Sequence, residues 1–105
     1  MEVKIDIYAD KMVLTGKGRT VQVQPASPYS SQRLLVGTFA PAVDCVKNGL
    51  KLLGTTGFWQ AKPRLTIVAK DRIEGGLSEI ELRCLLEVGY SAGAKQVDVL
   101  VDGVN

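Results

Sequence analysis

Glu2-Val3-Lys4-Ile5-Asp6-Ile7-Tyr8 alternates strictly between polar and apolar side chains, and this alternation decides how the rest of the chain is read. Successive side chains of a strand point to opposite faces, so the run describes a strand with one buried and one wet face. Immediately downstream, Met12 to Thr15 and Thr20 to Gln24 read as two further short strands. Between them lies Gly16-Lys17-Gly18, whose glycines tolerate the positive φ of a tight hairpin. Three strands in a meander are therefore expected at the start. Pro25 through Gln32 is rich in Pro and Ser, shows no periodicity, and reads as a loop leading into a short apolar stretch, Leu34 to Val36.

The pattern then changes period. Pro41 can open a helix because its missing N–H would be unpaired there, and Val43, Val46, Leu50 and Leu53 follow at helical spacing up to Gly54, a natural terminator. Past a loop containing Phe58 and Trp59, Arg64 to Ala69 follows Pro63 as a strand, with Leu65 and Ile67 alternating with Thr66 and Val68. Ser78 with Glu81 spells a capping box, in which each side chain takes up an unpaired backbone N–H, and Leu77 with Leu82 can close a hydrophobic staple. That helix should stop at Gly93. Val97, Val99 and Val101 alternate with Asp98, Leu100 and Asp102 in a last strand.

The expected order is βββαβαβ in one α/β domain over residues 1–105. It fits a two-layer fold with a mixed five-stranded sheet of order 3-2-1-4-5. Both crossovers then move the same way across the sheet, and right-handed connections put both helices on one face. Val3, Ile5, Ile7, Val21, Val23, Leu65, Ile67, Val97, Val99 and Val101 are expected to line that face. Glu2, Lys4, Asp6, Tyr8, Thr20, Gln22, Gln24, Thr66, Val68, Asp98, Leu100 and Asp102 fall opposite, on a face polar enough to meet water.

Composition narrows the function classes. At 105 residues with 46% hydrophobic and 23% charged side chains, the chain can bury one core. Its net charge of +2, with scattered Lys and Arg, lacks the basic stripe of a nucleic-acid binder. No apolar run approaches the roughly 18 residues of a membrane span, and the N-terminus opens on a strand pattern in place of a signal peptide. A cytoplasmic protein is expected. The two cysteines, Cys45 and Cys84, sit in helix-like segments without metal-ligand spacing and read as reduced packing residues. Histidine is absent, which removes His-based triads and His metal sites.

The helix Glu81-Leu82-Arg83-Cys84-Leu85-Leu86-Glu87-Val88-Gly89-Tyr90-Ser91-Ala92-Gly93-Ala94, preceded by Pro63-Arg64 and its strand and followed by the Val97 strand, resembles a segment of the bacterial actin-like proteins of the MreB type. There a Pro-Arg strand leads through a Glu-x-Arg helix to Ala-Gly-Ala. Ile5-Asp6-Ile7 and the Gly16-Lys17-Gly18 hairpin are similar to that family's opening Ile-Asp-Leu strand and Gly-rich hairpin. The resemblance spans most of the chain and implies the first subdomain of the actin and RNase H-like fold.

The same resemblance marks what is missing. In the family the first strand runs into a Gly-Thr loop whose backbone approaches nucleotide phosphates, with the aspartate near the metal. Here the matching stretch is Tyr8-Ala9-Asp10-Lys11, shorter and without the glycine. The family's catalytic glutamate falls at Val101, and Asp102 matches the second acidic position. The adenosine pocket belongs to a later domain.

The resemblance thus implies Asp6, Asp10 and Asp102 as vestigial cofactor-binding positions, with no catalytic residue, metal site or cofactor expected. Asp6, Asp71, Asp98 and Asp102 form a carboxylate set for RNase H-type metal chemistry only if they converge. Tyr8, Leu100, Phe58 and Trp59 are candidate interaction residues, with Phe58 and Trp59 more simply read as a lid on the core. Gly89 is expected to serve helix–sheet contact. The expectation is a non-catalytic module that binds another protein or itself. A residual nucleotide-binding ATPase-like protein and a metal-dependent nuclease are the alternatives.

Overall fold

The computed structural model describes residues 2–29, 36, 39–54, 62–71 and 76–102. Strands β1 (Glu2–Ile7), β2 (Met12–Gly16) and β3 (Arg19–Val23) are followed by α1 (Phe39–Leu53), β4 (Arg64–Ala69), α2 (Glu79–Ser91) and β5 (Gln96–Val101). The strands form one sheet in the order β3-β2-β1-β4-β5. β1 pairs antiparallel with β2, β2 antiparallel with β3, and β1 and β5 run parallel to β4 on either side.

Register sorts the side chains into rows. On one face run Val21, Leu14, Ile5, Ile67 and Val99, then Val23, Met12, Ile7, Ala69 and Val101, then Val3, Leu65 and Val97. α1 packs across β2 and β3, α2 across β4 and β5, and the helices touch each other, so both lie on this face. The buried core joins Ala42, Val46, Leu50 and Leu53 of α1 and Leu85 and Val88 of α2 to these rows. Each large aliphatic side chain removed from water there contributes about 1.5–3 kcal/mol, which anchors the two layers. Val21 and Val99 are only partly buried against this core, as residues on the outermost strands.

The opposite face carries Gln22, Val13, Asp6, Val68 and Leu100 in one row and Thr20, Thr15, Lys4, Thr66 and Asp98 in the next. Alternation counts Val68 among the water-facing residues, yet it is only 7% exposed. It stands between Asp6 and Leu100 on the neighbouring strands. The sequence does not reveal this flanking.

Local details differ from expectation in instructive ways. α1 begins at Phe39, two residues before Pro41, because the first turn of a helix has unpaired N–H groups at several positions and proline fits beyond the opening one. The hairpin uses Lys17 (φ 52°) and Gly18 (φ 69°) as its two central residues, so a lysine takes the left-handed conformation there. Gly16 lies inside β2, where an added Cβ would come 3.1 Å from Val3 Cγ2 and 3.3 Å from the Glu2 carbonyl; it provides room. At Ser78 the Oγ accepts the Glu81 amide at 3.2 Å, but the Glu81 carboxylate accepts the Ser78 hydroxyl at 3.1 Å, not the backbone amide a reciprocal box would use. Gly54 and Gly93 follow the helices with positive φ. Phe58, Trp59 and most of the Leu34 to Val36 stretch lie outside the described residues, while Val36 packs against the core.

Candidate functional site

Parallel strands of an open α/β sheet bring their carboxyl ends to one edge, where ligands commonly bind. Here that edge is built from the ends of β1, β4 and β5 and carries Tyr8, Lys70, Asp71 and Asp102. The Lys70 amide donates to the Ile7 carbonyl at 2.9 Å and the Asp102 amide to the Ala69 carbonyl at 3.0 Å, so the ladder continues one step past each strand. The turn from β1 to β2 closes over this edge, with the Tyr8 amide donating to the Lys11 carbonyl at 2.9 Å.

Two side chains distant in sequence fix that turn. The Ala9 amide donates to Asp71 Oδ2 at 2.8 Å. From the other side Tyr29, completely buried, directs its hydroxyl to the carbonyls of Tyr8 and Lys11, the latter at 2.6 Å. Burial raises the Tyr29 phenol far above its ordinary range, with Cys45, Asp10 and Asp71 adding negative potential. It stays protonated and remains a donor. Tyr29 lies in the Pro- and Ser-rich stretch read as a featureless loop. The available signal was a lone large aromatic in that loop, which needs somewhere to bury its ring.

The candidate aspartates differ in exposure and in partners. Asp6 projects from β1 on the open face, 16% exposed, with Lys4 Nζ 3.6 Å from its Oδ1. That is an ion-pair distance beyond hydrogen-bond reach, and the buried Oδ1 has no hydrogen-bond partner. Asp102, half exposed, accepts from Lys70 Nζ at 3.1 Å. This bond, with the charges of Asp102 and Asp6 nearby, raises the Lys70 ammonium above its ordinary range. Asp10 is exposed in the turn. Asp98 is exposed on β5 and accepts from Gln96 Nε2 at 3.5 Å. Among the described residues no three acidic, Cys or His side chains are grouped to hold a metal ion. The charge at this edge is mixed, because Lys70 stands close to both Asp6 and Asp102. Strand parity alone places Lys70 on the same face as Asp6, but only the paired strands bring it to Asp102.

The interaction candidates are also placed. Tyr8 is half-buried at the sheet edge with Lys11 Nζ 5.1 Å from its ring centroid, within cation–π range. Leu100 is 54% exposed and pairs across the ladder with Val68. Phe58 and Trp59 lie outside the described residues. Among those residues no helix is long and apolar enough to cross a membrane, and Cys45 and Cys84 are free thiols. No family model matches this chain, and no curated protein matches it.

Proposed function

We propose that the chain is a non-catalytic protein-interaction or self-associating module, a degenerate subdomain of the MreB actin-like type working in the cytoplasm. The observation that carries this reading is the Ala9 amide held by Asp71 at 2.8 Å. A phosphate-binding loop works by turning unpaired backbone amides toward an anion. In the corresponding turn here, the Tyr8 amide is committed to Lys11 and the Ala9 amide to a carboxylate, which itself repels phosphate. These two amides are turned away from any anion at this edge. Two free thiols are in keeping with the reducing cytoplasm, and Leu100 and Tyr8 supply apolar surface on the open face.

Calorimetric titration with ATP and Mg²⁺ tests the proposal. Only heat of dilution is expected, and the same result with Asp71→Asn would place the loss in the whole turn and not in one charge. Saturable binding by the unaltered chain would overturn the reading in favour of a residual nucleotide-binding protein. Saturable Mn²⁺ binding without nucleotide would favour a nuclease-type metal site.

A further inference from the structure

β5 ends the sheet, and its hydrogen-bonding pattern shows which of its groups face outward. The Asp102 amide bonds the Ala69 carbonyl on the β4 side, whereas the Val97 amide bonds the Tyr90 hydroxyl at 3.4 Å. Both polar groups of a strand residue point the same way, and the direction alternates. Val97, Val99 and Val101 therefore turn their amides and carbonyls to the outer side of β5, where no further strand pairs among the described residues, and the Tyr90 hydroxyl occupies the first of these amides.

The two sheet edges are not alike. β3 begins with Arg19, follows Lys17 and runs into Pro25, and charge and proline discourage further pairing. β5 reads Gln-Val-Asp-Val-Leu-Val, with neither Lys, Arg nor Pro within the strand and Lys95 just before it. It is also complementary to itself. When two antiparallel copies keep their helices on the same side, residues of equal parity must oppose one another. Centring on Asp98 sets two Asp98 carboxylates against each other, and centring on Leu100 sets Asp98 against Asp102. Centring on Val99 avoids both clashes: Val97 meets Val101, Asp98 meets Leu100, and Gln96 meets Asp102.

We propose that β5 pairs with β5 of a second copy across a twofold axis at Val99, joining two sheets into one, with the Tyr90 hydroxyl as a plug that must release the Val97 amide. This deepens the interaction reading and rests on it.

Sedimentation velocity over a concentration series, with circular dichroism to confirm folding, tests the register through exposed Leu100, which faces Asp98 of the second copy twice per dimer. A monomer–dimer equilibrium is expected. Leu100→Lys should tighten it and Leu100→Asp weaken it, each by roughly five- to tenfold, and Tyr90→Phe should tighten it about threefold by removing a competing acceptor. In the unaltered chain, amide exchange at Val99 and Val101 should slow as concentration rises, while Thr20 and Gln22 on β3 stay unchanged. A dimer indifferent to residue 100, with no protection at Val99 and Val101, overturns the β5 interface and leaves self-association standing. A monomer at every concentration overturns the interface and the self-associating reading together, leaving only a foreign partner.

Discussion

Gly89 sets how closely α2 approaches the sheet. A Cβ there would lie 2.6 Å from Val97 Cγ2 and 3.0 Å from Cγ1, and valine, stiff at χ1, has little room to yield. Alanine in a helix gains up to about 1 kcal/mol over glycine in propensity, while forcing a methyl into a packed core costs about 1–3 kcal/mol. The second effect wins. Gly89→Ala should lower the urea midpoint, and a midpoint equal to or above that of the unaltered chain would count against the close contact. This contact was legible in the sequence as a glycine inside a helix with no turn to explain it. Tyr29 was not, because its value depends on two carbonyls of a turn that is remote in sequence. Likewise Lys70 could be assigned a face by parity, but its bond to Asp102 depends on β4 and β5 being neighbours.

At the level of elements, alternation carried most of the information. A period of two separated the valines and isoleucines under the helices from the polar row opposite, and in the β3-β2-β1-β4-β5 order right-handed crossovers put both helices on one face. Boundaries were less legible, because a helix start depends on which unpaired amides find acceptors. α1 opens at Phe39 and not at Pro41, and the Ser78 and Glu81 pair closes only one backbone bond. Ser78 is consequently the main capping group of α2. Ser78→Ala should destabilise the fold by about 1 kcal/mol and speed amide exchange at Glu81 ahead of the middle of the helix. Uniform acceleration along α2 would show that the cap has no local role. The candidate edge was half legible: Tyr8 at the end of β1 was visible in the sequence, whereas the engagement of the Ala9 amide by Asp71 needed the strands assembled.

The whole molecule has an alkaline weakness. Burial pushes the Cys45 thiol from 9.0 up to about 11, and burial raises Tyr29 and Cys84 as well. In each case the folded chain holds its proton more tightly than the unfolded chain does. The associated stability is whole below the unfolded value and drains away as pH rises through the folded one. The urea midpoint should therefore fall between pH 9 and 11. Cys45→Ala should flatten that slope even if it lowers the midpoint throughout; an unchanged slope would clear the thiol of responsibility.

β1 is the central strand, yet one of its two neighbours, β4, is contributed by residues far downstream, and the Ala9 to Asp71 bond spans 62 positions. Contacts of such separation require loop-closure entropy to be lost before they form. During synthesis the opening meander waits on the ribosome with one flank of β1 unpaired until Arg64–Ala69 has cleared the exit tunnel.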